Sequence, residues 1–184
     1  MAERIGGAEV PEEAAREEAA FWRPMRDADL PAVTALAARV HPTFPERPEV
    51  FAERRALAPD LCLVLDDAGR VAGYLVAHPW RSSGPPALDT LIGRLPEAPD
   101  AVQIHDLVIA PELRGRGLAE PAIAHVERTA RGCVARLCLV AVSGKERFWS
   151  RRGFRPQPIG PGGSAGALAS YGPDAVAMVK TMAG

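Results

Sequence analysis

The chain has 184 residues, 47% of them hydrophobic, which is enough for a sizeable buried core and too apolar for a disordered protein. A formal net charge of -1 gives no support for nucleic-acid or membrane-surface binding, and no apolar run reaches the length of a membrane span. Cys62, Cys133 and Cys138 are odd in number, sit in apolar settings and lack CxxC spacing, so they read as buried thiols of a reducing cytoplasm rather than disulfides or zinc ligands.

In chain order, residues 1–20 form an N-terminal extension with more acid than base and no apolar h-region. It reads as a mobile tail or a short Ala/Glu helix, not a signal peptide. Residues 21–184 read as one domain. Phe21 to Arg26 is a short first strand broken by Pro24. Asp27 or Asp29 can cap a helix entered at Pro31, and LPAVTALAARV has helical spacing. His41 to Pro48 is a proline-broken loop, and EVFAERRALA is a second helix. LCLVLDDAGRVAGYLVAH is a hairpin turning at Asp66 to Gly69. Pro79 to Asp100 is too long for an ordinary connector; such loops are functional lids or disordered.

Next comes QIHDLVIA, a buried strand by its apolar, β-branched content, then the turn RGRGLA, then an amphipathic helix. Strand Leu137 to Val142, a short helix at Phe148, a Gly-rich run over Ile159 to Gly172 that reads as a mobile loop, and a last strand AVAMVKTM complete the chain. The order βααβββαβαβ is mixed α/β, with hairpins on one side of the sheet and crossovers on the other.

A glycine turn opening a helix presents unpaired N–H groups at the positive end of a helix dipole, which is an anion site. RGRGLA lacks the GxGxxG of dinucleotide folds and the GK[ST] ending of a P-loop. It matches Arg-x-x-Gly-x-Ala through Arg114, Gly117 and Ala119. Here the chain resembles the GNAT superfamily of acetyl-CoA-dependent N-acetyltransferases. A second segment, VSGKERFWSRRGFRP, resembles the late motif of that family, with the aromatic pair Phe148-Trp149 and the ending Gly153-Phe154. Gly153 suits the left-handed residue that stops a helix, and Phe154 suits the core.

The resemblance implies the GNAT fold, a mixed central sheet of about six to seven strands flanked by about four helices. It implies acetyl-CoA as cosubstrate and no metal. Arg114, Gly115, Arg116, Gly117, Leu118 and Ala119 would wrap the pyrophosphate of coenzyme A. Leu107, Val108 and Ile109 would lend backbone groups to the pantetheine arm. Ser143, Phe148 and Trp149 would touch it further along.

Acetyl transfer to an amine needs a base for the ammonium proton, polarisation of the thioester carbonyl and stabilisation of the leaving thiolate. The family often works by direct attack, so no cysteine nucleophile is required. Strand alternation places Gln103, His105, Leu107 and Ile109 on one face and Ile104, Asp106 and Val108 on the other, so His105 and Asp106 point apart. His105 stands where the family frequently has Glu and is the preferred base; the plain alternative is a His bonded within the sheet. Asp106 is a structural anchor or the alternative base. Many family members place Tyr second in the aromatic pair, whereas this chain has Trp149, whose indole N–H cannot protonate a thiolate. Of the two tyrosines, Tyr74 reads as core and Tyr171 as a candidate to reach the site. Phe44, Trp80 and Arg81 are candidates for acceptor recognition. The expected activity is transfer to a small-molecule amine by a cytoplasmic monomer or homodimer; a peptide acceptor, or a silent CoA-binding module, is the alternative.

Overall fold

The structure, a computed structural model, describes residues 19–160 and 163–182. The expected extension over residues 1–20 lies outside these, apart from its last two positions. Strand β1 (Phe21–Pro24) leads through a short turn of 3-10 helix into α1 (Leu30–Val40). Asp29 stands at the N-cap of α1, but its carboxylate does not cap that helix. It accepts from Arg26 N at 2.7 Å and pairs with Arg23 at 2.7 Å. Pro31 in the first turn, where the missing N–H costs nothing, sets the entry. Helix α2 (Pro48–Leu57) likewise opens on proline and buries Val50, Phe51 and Arg54.

The hairpin β2 (Cys62–Asp67) and β3 (Arg70–Trp80) turns at Ala68 and Gly69, both with positive φ, as a tight hairpin turn requires. After a long irregular segment come β4 (Ala101–Ile109), α3 (Ala119–Ala130), β5 (Arg136–Ala141) and α4 (Glu146–Ser150). β6 (Arg155–Pro156), α5 (Ala165–Ala169) and β7 (Val176–Thr181) follow. β6 and α5 are elements the sequence did not announce. Two residues are too few for a periodic signal, and α5 lies within the Gly-rich run read as a loop.

Among the described residues seven strands lie in the order β1-β2-β3-β4-β5-β7-β6, and of these only β4 and β5 pair in parallel. This is the mixed sheet expected, with five α-helices among the described residues where about four were expected. One face carries Leu63, Leu75, Ile104 and Leu137 against Ile123 and Val126 of α3. The other carries Val64, Leu65, Tyr74, Val76 and Val108 against Val33 and Leu36 of α1 and Phe51 of α2. Phe51 meets Tyr74 edge-on at 5.8 Å. Each such fully buried side chain contributes about 1.5–3 kcal/mol.

Two irregularities shape the site. The parallel pairing of β4 with β5 runs only from Ala101↔Arg136 to Ile104↔Leu139. Beyond Ile104, β4 continues to Ile109 paired on its β3 side alone, so the two strands splay. The second is a bulge in β4. Val76 faces Asp106 but Ala77 faces Ile104, which leaves His105 as the extra residue. A bulge breaks the period of two. His105 and Asp106 therefore reach the same side of the sheet, towards α1 and α2, and the alternation that set them apart does not hold.

Candidate active site

The turn Arg114 to Ala119 follows β4 and opens α3. Gly115 and Gly117 have φ of 79° and 75°, which l-residues with a Cβ seldom adopt, and no atom lies within 4 Å of where a Cβ would stand. The nearest turn hydrogen bonds are Arg114 N to Pro111 O and Glu120 N to Gly117 O. The N–H groups between them have no acceptor among the described residues, at the positive end of a twelve-residue helix. Trp22 Nε1 donates to Leu118 O at 2.7 Å and fixes the far side of the turn. Arg114 Nε donates to Ile109 O and Arg116 to Glu112 O, so both cations are drawn back over the strand end.

This turn borders a cavity of about 640 Å³ that occupies the splay. One wall is Leu107, Val108 and Ile109 of β4, and the other is Val142, Ser143, Phe148 and Trp149. Ser143 has a φ of 51°, unusual outside glycine, and Gly144 follows at 70°, so the chain folds sharply back from β5 into α4. Helix α4 ends as the sequence implied. Gly153 has a φ of 86°, Phe154 N donates to Trp149 O at 3.2 Å, and Phe154 is 1% exposed. Trp149 packs edge-on against both Phe148 and Phe154, at 5.0 and 5.3 Å. Lys145 and Arg152 also line the cavity and were not singled out from the sequence. Arg152 lies 3.6 Å above the Phe148 ring and pairs with Glu120.

At the other end of the cavity stands His41, the first residue after α1. Its Nε2 lies 3.3 Å from Asp106 Oδ1. Tyr74 donates its hydroxyl to Asp106 Oδ2 at 2.5 Å. The carboxylate beside it raises the His41 pKa above the usual 6.5 against the opposing effect of burial. Burial works to raise Asp106, but His41 and Tyr74 outweigh it and hold the carboxyl below its ordinary 3.8. Tyr74 is core, as expected, yet its hydroxyl belongs to the site. Burial and the adjacent Asp106 push that phenol well above its ordinary value, so it stays a donor.

His105 is placed differently. Its side chain is 1% exposed and does not line the cavity. Nε2 sits 3.0 Å from both carboxylate oxygens of Glu46, itself 6% exposed. Glu46 in turn accepts from Asp89 N at 3.1 Å. Asp89 belongs to the segment Arg81 to Asp100, which lies as a fixed roof over this side of β4. Glu53 accepts from Ile92 N and Gly93 N, Arg54 donates to Thr90 O, Ser170 accepts from Leu88 N, and Tyr171 donates to Pro86 O at 2.9 Å. Tyr171 is thus committed to the roof and does not reach the cavity. Trp80 donates to Gly84 O and meets His78 edge-on, so it braces the roof. Phe44 lies across Gly172, its ring 3.5 Å from where a Cβ would stand. Arg81 borders separate clefts at the edge of the roof and does not line this cavity.

Cys62 and Cys138 are buried, and burial pushes both thiols up to about 12. Cys133 is exposed, contrary to the expectation, because it follows α3 in a turn rather than entering the next strand. None of the three lines the cavity.

A family model for the acetyltransferase (GNAT) family matches residues 22–154. The chain belongs to the GNAT acetyltransferase family, as its two motifs suggested. A search of curated proteins finds no match. Among solved structures the chain is similar to the loading GNATL domain of CurA from Lyngbya majuscula, with a TM-score of 0.72 at 14% identity, covering 88% of this chain and 97% of that one. It is similar to Ard1 from Thermoplasma volcanium, at 0.67 and 15% identity over 90% and 99%. It also resembles N-acetylglutamate synthase from Neisseria gonorrhoeae, crystallised with coenzyme A and N-acetyl-glutamate, at 0.68 and 19% identity, covering 92% of this chain and 37% of that one. At these identities the likeness is one of fold.

Proposed function

We propose that the protein transfers an acetyl group from acetyl-CoA to the amine of a small molecule, by direct attack. The observation that carries this reading is the cavity in the β4–β5 splay. It joins a turn with free N–H groups at a helix N-terminus, an unpaired strand edge and the His41–Asp106–Tyr74 cluster.

The residues fit coenzyme A. Gly115 and Gly117 leave the turn open to close approach by a pyrophosphate, and the free N–H groups of the turn are its donors. The edge of Leu107, Val108 and Ile109 offers backbone partners to an extended amide chain, as an added strand would use them. Arg114, Lys145 and Arg152 supply positive charge around the same cavity. When bound, acetyl-CoA supplies a thioester carbonyl open to attack. His41 keeps its Nε2–H against Asp106, which orients the ring and stabilises the imidazolium, and the other ring nitrogen, Nδ1, takes the proton from the incoming ammonium. Tyr74 fixes the second carboxylate oxygen and so holds Asp106 in place. This reading moves the base from His105 to His41 with Asp106, because His41 faces the cavity and His105 is sealed by Glu46. No tyrosine lines the cavity, so the departing thiolate takes up, by way of water, the second proton that the attacking nitrogen releases as it becomes an amide.

The roof favours a small acceptor over a polypeptide. It bridges the α1–α2 loop, through Glu46 and Arg47, to the segment before β7, through Ser170 and Tyr171. A chain lying across the sheet at this point would have to displace those bonds. Turnover with acetyl-CoA against matched panels of small amines and peptide N-termini tests the assignment. Acetylation confined to small amines supports it; efficient acetylation of peptide N-termini refutes it.

A further inference from the structure

Beneath the roof, two imidazoles lie close together, and each has a buried nitrogen with no partner among the described residues. His78 is fully buried in β3 and its Nδ1 lies 3.1 Å from Pro79 O. A carbonyl only accepts, so Nδ1 carries the hydrogen and Nε2 bears a bare lone pair. Burial pushes this ring down to about 3, in keeping with a neutral imidazole. His105 Nε2 lies against Glu46, and its other nitrogen, Nδ1, has no partner. His78 Nε2 and His105 Nδ1 are both sealed from solvent and unpaired among the described residues. A buried polar atom left so is unfavourable, which calls for a partner.

The two rings are 6.3 Å apart between centroids. Imidazoles sharing a direct N···N hydrogen bond have centroids about 5 Å apart, and one interposed donor atom opens that to about 6–7 Å. The spacing suits one bridging polar atom, which must donate to the bare His78 Nε2. The charges nearby exclude an anion. Glu46 is a carboxylate, and the buried Arg54 has its charge taken up by Glu53. Asp106, next to His105 and on the same side of the sheet, holds His41 at the cavity.

We propose that His78 and His105 form a second polar subsite for the acceptor, which takes a hydrogen-bond-donating group, an ammonium or a hydroxyl, carried a short chain away from the reacting amine. The inference rests on the reading of this site as the amine side of an acetyltransferase. It makes the substrate class a small diamine or amino alcohol. The roof then covers the bound acceptor.

The test is calorimetric binding in the presence of CoA, with propane-1,3-diamine, 3-aminopropanol, propylamine and β-alanine. The diamine or the amino alcohol binds at least tenfold tighter than propylamine, and which of them leads tells ammonium from hydroxyl. In His78→Phe that preference falls to near one. Equal affinity for all amines, or tightest binding of β-alanine, overturns the proposal and leaves the two nitrogens to a buried water. A second readout needs no variant: the 15N resonance of His78 Nε2 moves on adding the tighter ligand and not on adding propylamine. An unmoved resonance likewise overturns it. Absence of acetyl transfer to every amine, with the binding preference intact, faults the transferase reading alone.

Discussion

His41 Nε2 and Asp106 Oδ1 lie 3.3 Å apart, one at the end of α1 and the other on the bulge of β4. Neither residue could be matched to the other from spacing, yet each supplies what the other lacks. A mostly buried carboxylate needs a cation, and an imidazole that is to accept a proton needs a group to orient it.

That pairing fixes a pH dependence. His41 is raised above its ordinary 6.5 by Asp106, so it must lose a proton before it can act as base. The acidic limb of kcat/KM is expected to have its midpoint above 6.5. Asp106→Asn removes the carboxylate, moves the limb to lower pH and lowers kcat by about a hundredfold. For stability the signs oppose. The His41 contribution is complete below 6.5 and is lost as pH rises through its raised value. The Asp106 contribution is complete above 3.8 and is lost as pH falls through its lowered value. The pair therefore contributes most between those limits. A limb that stays in place in Asp106→Asn counts against the pairing.

Gly117→Val is expected to raise the dissociation constant of acetyl-CoA by tenfold or more, about 1.4 kcal/mol. A β-branched side chain at a φ of 75° strains the turn and fills the space a pyrophosphate needs. Gly132→Val is the control. Gly132 has a φ of 81° and equally open surroundings, but lies at the other end of α3, outside the cavity. It is expected to lose stability without losing CoA affinity. Equal CoA affinity in Gly117→Val and wild type contradicts the placement of the pyrophosphate.

Much of this was legible in the chain because local chemistry carries it. RGRGLA needs its glycines for positive φ, and the helix after it announces itself by periodicity. Gly153 stops α4 for the same reason. The bulge at His105 was not legible. One extra residue in β4 turns Asp106 to the side of His105, and alternation counted along the strand cannot reveal a slip in pairing with β3. The roof was hidden for a different reason. Its hydrogen-bond partners, Glu46, Glu53, Arg54, Ser170 and Tyr171, come from distant segments, so Arg81 to Asp100 read only as a long proline-rich stretch. Cys133 was misplaced because an apolar neighbourhood in sequence does not say on which side of a turn a side chain ends.

No cysteine is expected to carry the acyl group. The Cys62 and Cys138 thiols are buried and pushed up to about 12, so their thiolate fraction at neutral pH is negligible. A thiol reagent is expected to label Cys133 alone in the folded protein, with activity retained. Acetyl-cysteine found by mass spectrometry after rapid quench, at a competent rate, would overturn this.

Trp149→Phe is expected to keep most of kcat, because the aromatic wall remains and only one N–H is lost. Trp149→Ala is expected to cost about 3–5 kcal/mol of stability, since it empties the space between Phe148 and Phe154. A Trp149→Phe enzyme that binds CoA normally yet does not turn over would make the indole N–H essential to thiolate departure.

The central claim is that an amine deprotonated by His41 attacks a thioester held in the β4–β5 splay. Steady-state release of free CoA, followed with a small-amine panel in wild type and His41→Ala, tests it most directly. The account predicts release that saturates with amine in the wild type. It predicts a kcat lower by about a hundredfold or more in His41→Ala, with acetyl-CoA affinity little changed. Acetyl-CoA binding without amine-dependent release across the panel, or a His41→Ala enzyme with wild-type kcat, would contradict it.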